Sequence, residues 1–108
     1  MIELRQFIDS KGRNPFERWF LSLTDDTQAR IATVLARVEN GNFSMAKSLR
    51  GGLYELRMDF GPGYRVYYGK DGDRLVILLG GGSKHRQDAD IKTAHVLWAE
   101  YKKEKRGN

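Results

Sequence analysis

The stretch Leu53-Tyr54-Glu55-Leu56-Arg57-Met58-Asp59-Phe60, then Gly61-Pro62-Gly63, then Tyr64-Arg65-Val66-Tyr67-Tyr68, decides the fold. Its side chains alternate at period two on either side of a glycine–proline turn, the pattern of two half-buried antiparallel strands. Tyr54, Leu56, Met58 and Phe60 face one way, and Glu55, Arg57 and Asp59 the other. Lys70-Asp71-Gly72-Asp73 holds an Asp-Gly pair, a strong hairpin signal. The run Arg74 to Leu79 that follows is almost wholly apolar, as expected of a central strand covered on both faces. Gly80-Gly81-Gly82 is expected to release the chain from the sheet.

Upstream of this block, Met1 to Phe7 alternates and reads as a short strand, broken at Ser10-Lys11-Gly12-Arg13. Asn14-Pro15 then opens a helix, with Asn as cap and Pro at the first helical position. Phe16, Trp19, Phe20 and Leu23 follow at helical spacing and are expected in the core. A second helix is expected from about Asp25, capped by that residue with Gln28 completing the pair. Ile31, Val34, Leu35 and Val38 form its apolar face, and Asn40-Gly41 closes it. Downstream, a last helix spans Gln87 to Lys103 with the stripe Ile91, Ala94, Trp98 and Tyr101. The basic residues Lys102, Lys103, Lys105 and Arg106 suit a helix C-terminus, and residues 104–108 read as a frayed tail. These elements predict an α+β single domain over residues 1–108. Its sheet is mainly antiparallel and four-stranded, with two helices on one face and a C-terminal helix nearby.

Composition narrows the function. A chain of 108 residues has room for one core. It contains no cysteine, which excludes disulfide scaffolds and thiolate metal sites. Leu75 to Leu79 is the longest apolar run, too short to span a bilayer, and MIELRQF lacks the layout of a secretory signal, so a cytoplasmic location is expected. The net charge of +5 favours a polyanionic or acidic partner, although such an excess also simply aids solubility.

One constellation could do chemistry. Pairing Phe60 with Tyr64 across the turn sets Asp59 opposite Arg65 and Arg57 opposite Tyr67, all on one sheet face. The bland interpretation is an exposed cross-strand ion pair worth about 0–1 kcal/mol. The functional one is a cationic platform that grips a phosphodiester while a base stacks on Tyr67. After the glycines come Ser83-Lys84-His85-Arg86, three cationic or titratable side chains at the strand exit. Imidazole is the side chain whose ordinary titration falls near neutrality, so His85 is the candidate for moving a proton. His95 lies mid-helix and is expected to be structural or exposed. The two histidines have no neighbouring ligands at metal-binding spacing, so no metal site is expected. No phosphate-binding glycine loop and no nucleophile triad can be argued.

With this order of elements, GLYELRMDFGPGYRVYY and LVILLGGGSKHRQDADIKTAHVLWAEYKK together resemble the RelE/ParE toxin superfamily. The nearest likeness is to its HigB-like, phage Gp49-like branch of addiction-module killers, from NPFERWF to the final helix. The resemblance implies the toxin of a type II toxin–antitoxin system. Such a toxin is a metal-independent, ribosome-dependent mRNA endoribonuclease needing no cofactor. Its reaction is attack of the 2′-hydroxyl on the adjacent phosphate. It also implies a helix-turn-helix antitoxin, the ribosome and mRNA as partners, and no membrane.

Carried over by position, Arg65 matches the arginine that stabilises the phosphate, and Arg57 lies where relatives place basic substrate contacts. Lys84 matches the basic residue at the end of the final strand, and His85 follows it as base or acid. Tyr67 and Arg86 complete the expected RNA surface. The chain departs from the pattern at Gln87-Asp88-Ala89-Asp90-Ile91, where some ribosome-dependent relatives carry a tyrosine. ParE-like members of the superfamily poison DNA gyrase without cutting RNA. That alternative, and a non-toxic antitoxin-binding remnant, stay open at this point.

Overall fold

A computed structural model describes residues 1–107. Chain order runs β1 (Glu3–Gln6), α1 (Pro15–Leu21), α2 (Asp25–Glu39), β2 (Ala46–Ser48), β3 (Leu53–Arg57), β4 (Arg65–Asp71), β5 (Leu75–Gly82) and α3 (Gln87–Gly107). A single 3-10 turn, Lys84–Arg86, leads into α3. The strands form one mixed sheet in the order β1-β5-β4-β3-β2, with β1 parallel to β5 and the other pairs antiparallel. The sheet is five-stranded, not four-stranded. The strand that sequence reading missed is β2, whose three residues are too few to show a period. It pairs with Tyr54 to Leu56 and so covers the edge of β3.

The local signals mostly act where expected. Asn14 Oδ1 accepts the Glu17 N–H at 3.0 Å, and Pro15 occupies the first helical position of α1. In α2 the cap is Thr24 rather than Asp25: its Oγ1 accepts the Thr27 N–H at 3.3 Å. That places Asp25 and Asp26 in the first turn, where their charge complements the helix dipole. Gly41 closes α2 at a φ of +88°, a conformation that favours glycine.

Two apolar layers hold the sheet. On one side Phe16, Ile31, Val34, Leu35 and Val38 pack against Leu56, Met58, Val66, Tyr68, Val76 and Leu78. On the other, Ala94 and Trp98 of α3 pack against Phe7, Leu53, Tyr67, Ile77 and Leu79. The C-terminal helix therefore lies over the face that sequence reading left open. Gly80 to Gly82 do not release the chain; they remain in β5, opposite Tyr67, Val66 and Arg65. Their lack of side chains lets neighbours press in. A Cβ on Gly81 would sit 2.3 Å from the Trp19 ring, and one on Gly82 2.0 Å from Asp90 Oδ2.

α3 continues past Lys103 to Gly107, into the stretch expected as a tail; of that stretch only Asn108 lies outside the described residues. Asp71 anchors its end, accepting from the Tyr101 hydroxyl at 2.6 Å and from Lys105 Nζ at 2.6 Å. The hydrogen bonds from Lys105 and then Tyr101 hold the Asp71 carboxyl below its ordinary value. A depressed folded-state value gives stability that is complete above the unfolded value, about 3.9, and is lost as pH falls through the folded one. Asp71→Asn is therefore expected to lower stability at neutral pH by about 0.2–1 kcal/mol. Thermal melts from about pH 7 to about pH 2 should show its deficit shrinking towards the acid end. A deficit that stays constant with pH would mean the carboxylate charge does not hold the helix end.

Candidate functional site

The ladder between β3 and β4 pairs Arg57 with Arg65 and Glu55 with Tyr67. The expected pairing, Asp59 with Arg65 and Arg57 with Tyr67, is displaced by two residues. Gly61 and Gly63, both at positive φ, centre the turn on Gly61, and Met58 N–H donates to Tyr64 O at 2.9 Å. A shift of two leaves every side chain on its original face. Arg57, Arg65 and Tyr67 thus share a face as expected, with Glu55 between them.

Glu55 is the residue that sequence reading passed over. Its side chain is 0% exposed, yet both oxygens are engaged. Oε1 accepts from Arg57 Nε at 2.5 Å and lies 3.8 Å from Arg65 Nε, while Oε2 accepts from Gln87 Nε2 at 2.8 Å. Arg65 is itself buried, its side chain 9% exposed, and its Nη1 donates to Gly63 O at 2.9 Å. Arg57 is more open, with 45% of its side chain exposed. The available signal was the i, i+2 spacing of Glu55 and Arg57 on a strand, which puts opposite charges side by side on one face.

Lys84 reaches the same place from the end of β5, where Gly82 pairs with Arg65. Its N–H donates to Pro62 O at 3.3 Å, which seats the 3-10 turn on the β3–β4 loop. Gly63 makes room for it: a Cβ there would meet Lys84 Cβ at 3.1 Å and Arg65 Nη1 at 3.4 Å. The result is an open groove of about 550 Å3 walled by Lys47, Arg57, Asp59, Gly63, Arg65 and Lys84. Four cations converge there, and Asp59 is the exposed carboxylate among the wall residues. Lys47 was also missed, because β2 itself was not legible.

The remaining expected site residues are placed differently. Tyr67 is 1% exposed beneath α3, so its ring offers no face to a base. Burial first, and then the charges of Glu55 and Asp90, push its phenol well above the ordinary range. Its hydroxyl has no hydrogen-bond partner among the described residues. His85 and Arg86 are exposed on the 3-10 turn next to Lys84 but do not wall the groove. Arg86 Nε stands 3.9 Å from Asp90 Oδ1. Burial raises the Asp90 carboxyl, and Arg86 opposes that shift. His95 is exposed on α3.

The geometry suits a phosphodiester: fixed guanidiniums in a partly desolvated groove, with a flexible ammonium at the rim. Among the described residues no three His, Asp or Glu side chains gather in a way that could hold a metal ion. A second groove of about 630 Å3 runs between α1 and α3 over Pro15, Trp19 and Leu97. Its floor is apolar, and its carboxylate Asp9 is tied to Arg13 at 2.6 Å, so it lacks the convergence of free cations seen in the first groove.

The family model described as phage-derived protein Gp49-like matches residues 18–102, a span that includes every cation of the groove. An uncharacterized protein of Haemophilus influenzae is 44% identical over 91 residues, covering 83% of this chain and 92% of the relative. No solved structure matches the chain significantly.

Proposed function

The chain belongs to the phage-derived Gp49-like family, and on that premise we propose that it is the toxin of a type II toxin–antitoxin pair. That family is part of the RelE-like toxin superfamily and is associated with toxins of such pairs. In our reading the toxin is a metal-independent endoribonuclease that cuts mRNA on the ribosome. The observation that carries it is the convergence of Arg57, Arg65 and Lys84 on one groove, beside the fully buried Glu55.

The reaction is attack of a 2′-hydroxyl on the neighbouring phosphate, leaving a 2′,3′-cyclic phosphate and a free 5′-hydroxyl. Arg65, buried and hydrogen-bonded to Gly63 O, stabilises the charge that grows on the phosphate oxygens. Arg57 and Lys84 hold the flanking backbone, and Lys47 extends the cationic wall along it. His85 moves the proton. RNA affinity of such a groove falls with salt. A small helix-turn-helix antitoxin is the proposed protein partner, and the cytoplasm the proposed location. No helix of the described residues is long and apolar enough to cross a membrane.

A specific observation favours a second reading. Tyr67 is buried and His85 stands outside the groove wall, so neither an imidazole nor a phenol lines the groove. A ParE-like inhibitor of DNA gyrase needs no such group, and neither does an antitoxin-binding remnant without toxicity. Induced expression followed by mapping of mRNA 5′ ends, alongside a gyrase supercoiling assay, separates the three. Cuts phased with ribosomes are expected. Inhibited supercoiling with intact transcripts would establish the gyrase poison instead, and neither effect would leave the remnant.

His85→Ala tests the proton step directly. General acid–base groups contribute about 10²–10⁴-fold, so single-turnover cleavage is expected to drop by at least the lower figure. A fall of less than about threefold, small beside that range, would make His85 a bystander.

A further inference from the structure

We infer that Glu55 is the positioning residue of the cationic groove, a single buried carboxylate that aims its cations without touching substrate; this rests on the nuclease reading above. Arg57 and Arg65 stand directly opposite each other on β3 and β4. Like charges in that arrangement repel. The carboxylate between them makes the pairing tolerable, but stability alone does not explain it, since well-packed apolar side chains commonly serve a buried position as well or better.

The hydrogen-bond pattern indicates what the charge does. Glu55 takes Arg57 by Nε, and the two terminal nitrogens of Arg57 have no hydrogen bond among the described residues. The guanidinium is thereby held by its inner edge, with its outer edge left for a bidentate phosphate contact. Arg65 is restrained from two sides, by Glu55 at 3.8 Å and by Gly63 O at 2.9 Å. Through Gln87, the first residue of α3, the second oxygen of Glu55 also reaches the element that follows Lys84–Arg86. One side chain therefore sets the spacing of two arginines and a lysine. Alignment of charged groups with the reacting phosphate is worth more to rate than to affinity.

The test uses the full chain in single-turnover cleavage of mRNA in ribosome complexes. Glu55→Gln keeps the shape and removes the charge. It is expected to slow cleavage at saturation by at least about 30-fold, while the half-saturating concentration changes less than about threefold. In a double-mutant cycle, Glu55→Gln with Arg57→Ala should cost clearly less than the product of the two single effects, since part of what Glu55 does runs through Arg57. Cleavage by Glu55→Gln within about threefold of wild type, or effects of the two variants that multiply, would overturn the inference.

Should Glu55→Gln not fold, or wild type not cleave mRNA, NMR of the unaltered chain still decides. The Nε–Hε signal of Arg57, assigned with Arg57→Lys, should be protected from solvent exchange and stay so as inorganic phosphate is titrated in. An Nε–Hε proton exchanging as fast as that of an exposed arginine would overturn the positioning role, whatever becomes of the nuclease reading. Absence of cleavage with a protected Nε–Hε would remove the nuclease alone.

Discussion

Arg65→Lys is expected to cut single-turnover cleavage by about 10²–10³-fold, the usual cost of removing one preorganised donor from a site of developing charge. Lysine keeps the charge but loses the planar fork, so it can neither bond to Gly63 O and lie beside Glu55 at once nor offer a paired edge to a phosphate. Burial makes the difference large: at 9% side-chain exposure the guanidinium acts where water screens it weakly. The variant should keep its fold, because Glu55 retains Arg57 and Gln87 as partners. Single-turnover cleavage of mRNA in ribosome complexes, growth arrest on induced expression and a thermal melt are the measurements. Undiminished toxicity in a folded Arg65→Lys protein would take Arg65 out of the site.

Trp98→Ala is expected to have the largest effect on stability, a loss of about 3–5 kcal/mol. The ring is 4% exposed and fills the space over two glycines. A Cβ on Gly69 would lie 2.2 Å from it, and one on Gly52 3.5 Å away. Nε1 donates to Gly51 O at 2.8 Å, and the ring stacks on Tyr101 with centroids 5.3 Å apart. Truncation removes all of this together and leaves a void between α3 and the sheet. For a domain of this size the melting temperature should fall on the order of 15–25 °C. A drop of only a few degrees would mean that α3 is held by its Asp71 anchor more than by its apolar stripe. Because Gln87 of the same helix bonds to Glu55, partial undocking of α3 should also lower activity before the protein unfolds.

Much of the architecture was legible because it rests on local rules. The alternation from Tyr54 to Phe60 put Leu56 and Met58 under the helices, and the stripe Ile91, Ala94, Trp98, Tyr101 marked the docking side of α3. Asn14-Pro15 and Asn40-Gly41 announced helix ends through single-residue chemistry. The sharing of one face by Arg57 and Arg65 survived a misjudged turn, since a register error of two residues conserves the faces.

What the sequence determined by itself, then, is which residues point which way along each strand and helix, because backbone periodicity needs only neighbours. Only the tertiary structure decided what stands over them. Nothing local says that α3 crosses the face carrying Tyr67, turning an expected stacking ring into a buried one. Nor does anything local say that Gln87, 32 residues away, bonds to Glu55, or that a three-residue strand brings Lys47 to the groove. Such contacts join segments that share no period, and they form only when the layers close and desolvation obliges each buried charge to find a partner.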